Sequence, residues 1–218
     1  MPKETKAAKR QRGELIVKRL SDIYPTKGQC LLNHSDAFTL VIAVLLSAQT
    51  TDAAVNKVTG ELFSHWPDPQ SMALAKATDI EAVIRSIGFY RVKAANCIKL
   101  SQILLAEHNG KVPSSMSELV KLPGVGRKTA NIVLNVAFGI VDGIAVDTHV
   151  FRIAHRLGFS TKKHSTPEKV EHDLMDFFEK KNWGTINHQW VLFGREFCDA
   201  RRPQCAKCPI GDLCPKKI

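Results

Sequence analysis

Apolar residues recur along most of the chain at spacings of three and four, and no stretch alternates apolar and polar residues with a period of two. The pattern predicts helix almost throughout, over roughly 14–24, 36–48, 52–65, 70–75, 79–87, 90–108, 116–121, 126–138, 148–157, 167–180 and 185–197. Thr78-Asp79-Ile80-Glu81 and Ser115-Met116-Ser117-Glu118 fit the capping box, in which a hydroxyl and a carboxylate satisfy orphan amides reciprocally. Asp68-Pro69 and Thr166-Pro167 put a cap before a first-turn proline. Gly88, Gly110, Gly139 and Gly158 suit left-handed residues at helix ends. A four-residue echo, Lys93-Ala94-Ala95-Asn96 against Lys128-Thr129-Ala130-Asn131, opens two of these helices and is short enough to be chance.

Composition narrows the class. A hydrophobic share of 44% in 218 residues rules out global disorder and suffices for one large domain or two small ones. The longest nearly apolar run, Ala37 to Ala48, falls short of the about 20 residues that a membrane helix needs. The basic segment 1–12 is followed by no apolar stretch, so no secretion signal is expected. It reads as a disordered DNA-binding tail or a weak nuclear signal. A reducing, cytoplasmic compartment follows (nucleoid-associated in a bacterium), with cysteines as thiols or metal ligands. The net charge of +10 points to a polyanion, nucleic acid first, against the alternative of a merely basic soluble surface.

Four of the six cysteines, Cys198, Cys205, Cys208 and Cys214, fall in a C-x6-C-x2-C-x5-C loop. Zinc sites more often use two close pairs separated by a longer stretch. A compact all-cysteine loop suits a cubic iron–sulfur cluster, with zinc and disulfides as the other readings. Arg201, Arg202, Lys207, Lys216 and Lys217 surround the sulfurs, either to meet phosphates or to compensate thiolate charge. Cys30 and Cys97 stand apart in apolar, helical context and read as buried thiols.

Leu122-Pro123-Gly124-Val125-Gly126-Arg127-Lys128-Thr129 lies between two predicted helices. Gly124 and Gly126 permit a turn that a ligand can approach closely, and the second helix begins there with free amides and a positive dipole end. Such a start suits phosphate. It is not a Walker A loop, since Arg127 separates Gly126 from Lys128. Nor is it a dinucleotide fingerprint, which needs a preceding strand and a glycine where Thr129 stands.

This segment, extended to Asn131, resembles the helix–hairpin–helix of endonuclease III. So do Leu46-Ser47-Ala48-Gln49-Thr50-Thr51-Asp52, Val146-Asp147-Thr148-His149 and the cysteine loop, in the same order from about residue 14 to 216. The resemblance implies an all-α fold of two helical domains flanking a DNA-binding cleft. Residues 30–140 would form a six-helix domain, with the helix–hairpin–helix at about 116–138. Residues 1–29 would join 141–218 in a cluster domain, holding a [4Fe–4S] cluster on the loop 198–214.

The resemblance further implies a base-excision repair DNA glycosylase and abasic-site lyase, acting as a monomer on double-stranded DNA with damaged bases or abasic sites. Oxidised or ring-saturated pyrimidines such as thymine glycol are the expected substrates. Lys128 would attack C1′, expel the base and form a Schiff base, and β-elimination would then release the 3′ phosphate. An attacking amine must be neutral; positive neighbours such as Arg127, a helix N-terminus and desolvation in a cleft favour that state. Without the resemblance, Lys128 would read as a plain phosphate contact. Asp147, otherwise an N-cap, would stabilise charge at C1′ and relay protons to and from Lys128.

A base must leave the stack to be processed, and something must fill the gap. Gln49 and Phe89 resemble the family's gap-filling positions, Phe89 with core packing as its other reading. His149 resembles a residue near the base pocket and DNA backbone, or else is a satisfied surface histidine. Gly124, Gly126, Arg127 and Thr129 would contact DNA at the hairpin. Two rivals remain: a monofunctional, mismatch or pyrimidine-dimer glycosylase of the same superfamily, and a non-catalytic iron–sulfur DNA-binding protein.

Overall fold

Helix α2 (Ala37–Leu46) is apolar on every side, and each residue from Phe38 to Leu46 is buried. A helix with no polar face belongs inside a domain. Its start is set by Asp36, whose carboxylate accepts the Thr39 amide while the Thr39 hydroxyl reaches back to the Asp36 amide. Around it pack α3 (Asp52–His65), α6 (Tyr90–His108) and α8 (Arg127–Phe138). Three shorter helices, α4 (Pro69–Ala73), α5 (Ala77–Val83) and α7 (Met116–Leu119), complete a unit running from Cys30 to Asp142.

The second unit is made from both ends of the chain, Met1–Gln29 and Gly143–Ile218. It comprises α1 (Lys6–Ile23), α9 (Thr148–Arg156), α10 (Pro167–Phe177), α11 (Lys180–Glu196) and a 3₁₀ turn at Cys205–Lys207. Its core is aromatic. Phe159 and Phe178 lie 4.8 Å apart, and Phe178 meets the fully buried Trp190 edge-on at 5.8 Å. Ile16 and Leu20 of α1 are buried in the same cluster.

The computed structural model describes residues 4–25, 30–161 and 163–216. Among these, all regular structure is helical, and no helix is long and apolar enough to cross a membrane.

Three expectations change. The basic segment is no loose tail, because α1 begins at Lys6 rather than near residue 14. Ala, Lys, Arg and Gln are strong helix formers, and the Thr5 hydroxyl caps them by accepting the Ala8 amide. Its charges are engaged within the unit: Lys6 pairs with Asp176, Lys9 Nζ donates to the Gly158 carbonyl, and Arg12 lies over the Phe159 ring. Met1–Lys3 lie outside the described residues.

Of the two expected capping boxes, neither forms. Lys76, not Thr78, precedes α5, and Ser115 Oγ bonds the Glu118 carboxylate instead of the backbone. Gly110, Gly139 and Gly158 are left-handed as expected, but beside Gly88 the left-handed residue is Phe89, at φ +57°.

Candidate active site and cysteine loop

The hairpin between α7 and α8 depends on Gly124, whose φ is +75°. A Cβ there would lie 2.9 Å from Leu45 Cδ1 and 3.0 Å from Asn96 Nδ2, so glycine is required by conformation and by space. Val125 anchors the turn in the core, while Gly124 and Gly126 are exposed. Gly126 is the N-cap of α8 and no side chain caps the helix start. A glycine N-cap supplies no side-chain acceptor at the helix start, which suits an anion site. Arg127 and Thr129 are half-buried and Lys128, in the first turn, is exposed. The chain does not bury this amine, contrary to the desolvation expected of it.

Gln49 and Phe89 occupy two loops of the same unit. Gln49 follows α2 at φ +54° and is exposed. Phe89 precedes α6, with 66% of its surface exposed, so core packing is excluded as its role. An exposed phenylalanine in a left-handed backbone is costly on both counts. A Cβ on Gly88 would lie 4.0 Å from the Gln49 carbonyl oxygen, which makes the two loops neighbours. Lys93, four residues into α6 and buried, donates to Thr50 Oγ1 at 2.8 Å. Burial pushes its pKa down. Sequence reasoning missed this lysine; its only signal was the echo with Lys128.

In the other unit, Asp147 is the N-cap of α9, its carboxylate accepting the Val150 amide at 2.8 Å. His149 is half-buried, and its Nδ1 lies 3.1 Å from Arg152 Nη2. The guanidinium donates, so Nδ1 accepts and the ring proton sits on Nε2. Burial lowers the His149 pKa, with Arg152 and Arg195 adding to the effect and Asp147 opposing it. His149 packs on Gly194 of α11, where a Cβ would come within 2.7 Å of Nδ1.

All six cysteines are free of disulfides. Cys97 is fully buried in α6, and burial pushes its thiol up to about 12. Cys30 is only half-buried and lies in a loop before α2, not in a helix.

Cys198, Cys205, Cys208 and Cys214 line one cavity together with Phe193 and Ile210. The loop is tightly held. Asp199 accepts the amides of Arg201 and Arg202, Gln204 bonds back to Phe197, and Arg156 donates to the carbonyls of Asp199 and Ala200 and to Cys198 Sγ at 3.4 Å. The Lys216 amide lies 3.3 Å from Cys214 Sγ. Among the described residues no group of His, Cys, Asp or Glu is arranged to hold a single metal ion. Four thiols around an apolar cavity, two of them receiving N–H donors, are a donor set that fits a thiolate-bound cluster. Arg201, Arg202, Lys207 and Lys216 are exposed; Lys217 lies outside the described residues.

Comparisons with known proteins identify the family. The profile of the HhH-GPD superfamily base excision DNA repair proteins matches residues 42–180. The chain is 47% identical over 201 residues to endonuclease III of Bacillus subtilis, across 92% of this chain and 90% of that protein. It is 46% identical over 186 residues to endonuclease III of Escherichia coli K12, covering 85% and 87%. A trapped endonuclease III–DNA covalent intermediate has a similar structure, with a TM-score of 0.88 at 44% identity over 95% of this chain and 96% of that one. A thermostable thymine-DNA glycosylase shares the fold, with a TM-score of 0.77 at 21% identity over 94% and 96%. On these grounds the chain belongs to the HhH-GPD superfamily of base excision DNA repair proteins and, within it, to the endonuclease III family.

Proposed function

We propose that this base excision repair glycosylase and AP lyase works through a Schiff base on Lys128 and acts on oxidised or ring-saturated pyrimidines such as thymine glycol. The observation that carries the reading is the start of α8: a glycine N-cap, and an exposed lysine in the first turn. The first amides of α8, with Arg127 and Thr129, bind a DNA phosphate. The phosphate then sits beside the amine and brings it to the sugar. Because Lys128 is exposed in the free chain, it is the bound duplex that desolvates it.

Nζ of Lys128 attacks C1′, and the base leaves with the bonding pair and takes up a proton. Opening of the sugar ring gives the protonated imine. Loss of a C2′ proton then breaks the C3′–oxygen bond, the 3′ phosphate departs, and hydrolysis frees the lysine. Asp147 supplies the carboxylate that stabilises positive charge developing at C1′. Its cap bond to Val150 fixes the direction of that carboxylate. Gln49 and Phe89 occupy the gap left by the extruded nucleotide, and His149 contacts DNA near the base.

Cys198, Cys205, Cys208 and Cys214 hold a [4Fe–4S] cluster. When bound, the cluster supplies structural cross-linking of the loop. The exposed Arg201, Arg202, Lys207 and Lys216 offer charges to the DNA backbone. The enzyme acts as a monomer on double-stranded DNA.

Borohydride trapping tests the reading. Duplexes carrying thymine glycol or an abasic site are both expected to give a covalent adduct, lost in Lys128→Ala while DNA binding persists. An adduct on the abasic duplex alone would keep the lyase and discard thymine glycol as substrate. Tight binding with no adduct and no cleavage would overturn the catalytic assignment.

A further inference from the structure

Buried Lys93 links the two loops that carry Gln49 and Phe89. Both residues are left-handed without being glycine, at φ +54° and +57°. Backbones of this kind persist only where the surroundings hold them. The Lys93 amide donates to the Phe89 carbonyl at 3.0 Å, closing the first turn of α6. Its side chain, with only 4% of the residue's surface exposed, runs to Thr50 Oγ1 at 2.8 Å. Thr50 directly follows Gln49, and its own amide donates to the Ser47 carbonyl at 3.1 Å. Lys93 is thus bonded at one end to the Phe89 backbone and at the other to the neighbour of Gln49.

A lysine is a poor choice for a buried brace. Burying its ammonium is costly, and an unbranched apolar side chain would fill the same space at less expense. The echo sharpens the contrast. Lys93 and Lys128 hold the same place in it, yet Lys93 is buried and Lys128 is exposed. A buried donor bonded to the backbone of one left-handed residue and to the neighbour of the other points to a role in holding the two loops.

We propose that Lys93 is a positioning residue for nucleotide extrusion: through Thr50 it fixes the spacing of the Gln49 and Phe89 loops, so that both side chains enter the duplex as one unit. The proposal rests on the reading that Gln49 and Phe89 fill the vacated space. Lys93 touches neither base nor sugar. Its loss acts on extrusion, which precedes chemistry, and acts far less on a site that has no base to extrude.

Lys93→Met keeps the side-chain length and removes the donor; Thr50→Val keeps the shape and removes the acceptor. Extrusion is read from 2-aminopurine fluorescence beside a thymine glycol, and chemistry from single-turnover base release and from cleavage at a preformed abasic site. Loss of a charge-assisted hydrogen bond should lower extrusion and base release about tenfold, and abasic cleavage by no more than about threefold. The double variant should be no worse than either single one, since both remove the same bond. The melting temperature of Lys93→Met should be unchanged or higher.

If Gln49→Ala and Phe89→Ala lower extrusion but Lys93→Met and Thr50→Val do not, the role of Lys93 is refuted and the gap-filling reading stands. If Gln49→Ala and Phe89→Ala also leave extrusion unchanged, the gap-filling reading itself fails and the proposal falls with it. If Lys93→Met lowers base release, abasic cleavage and melting temperature together, the lysine is structural only and the proposal is wrong.

Discussion

Asp147 Oδ1 accepts the Val150 amide at 2.8 Å, so the carboxylate assigned to chemistry also holds the first turn of α9. The two duties separate by substitution. Asparagine caps helices as well as aspartate does, whereas alanine costs about 1 kcal/mol. Asp147→Asn should therefore melt within about 1 °C of the parent, and Asp147→Ala about 2–4 °C lower. Both should lose base release by about a hundredfold or more, since both lack the charge. Thermal denaturation beside single-turnover kinetics checks this; an active Asp147→Asn would reduce Asp147 to a cap.

Gly194 sits inside α11, where replacing glycine by alanine ordinarily stabilises by about 0.5–1 kcal/mol. Here the added carbon would lie 2.7 Å from His149 Nδ1 and 3.0 Å from Arg152 Nη2. Arg152 is pinned by the carbonyls of Cys198 and Gly194, so it cannot swing aside cheaply. Overpacking of this kind costs about 1–3 kcal/mol, which exceeds the helix gain. Gly194→Ala should lower the denaturation midpoint in urea, not raise it.

Arg156 grips the segment after Cys198 by two carbonyls and by the sulfur itself. Arg156→Met should leave the four thiols in place but loosen their support. Removal of such a supporting bond commonly weakens metal retention about 10–100-fold. Iron content and visible absorbance followed under a chelator should decay at least about tenfold faster than in the parent. Cys208→Ser should prevent stable loading altogether.

Burial lowers the pKa values of His149 and His188, in both cases with help from Arg195. A lowered value means that the unfolded chain binds more protons than the folded one in the same range. Stability then rises with pH and is lost as pH falls below about 6.5, the unfolded histidine value. Replacing both histidines with glutamine should flatten the loss of denaturation midpoint between pH 7.5 and 5.5. An equally steep loss in the double variant would locate the titration elsewhere.

What could be seen in advance followed from local rules. The unbroken apolar run of α2, the proline-marked starts of α4 and α10, and the glycine hairpin all act within a few residues of themselves. The misreadings came from distant partners. Lys6 and Arg12 look like a DNA-seeking tail until Asp176 and Phe159, far along the chain, are brought beside them. Glycine is the cheaper left-handed occupant, so local rules point to Gly88 where the structure uses Phe89. Nothing local distinguishes a buried helical lysine such as Lys93 from a solvated one. The roles proposed for Lys128 and Asp147 rest on family resemblance alone, since an exposed first-turn lysine and a capping aspartate are common.

The unit assembled from both chain ends also bears on how the protein is made. Its first helix leaves the ribosome early, with Ile16, Val17 and Leu20 facing partners on α10 and α11 that do not yet exist. The contiguous unit from Cys30 to Asp142 can fold meanwhile. At about 5–20 residues per second, the wait between Ile23 and Pro167 is on the order of ten seconds. The cysteine loop emerges later still, and its Leu213 carbonyl and Asp212 carboxylate take the guanidinium groups of Arg12 and Arg19. Loading of the cluster proposed for this loop would thereby follow the emergence of α11, and α1 would lack its partners until then.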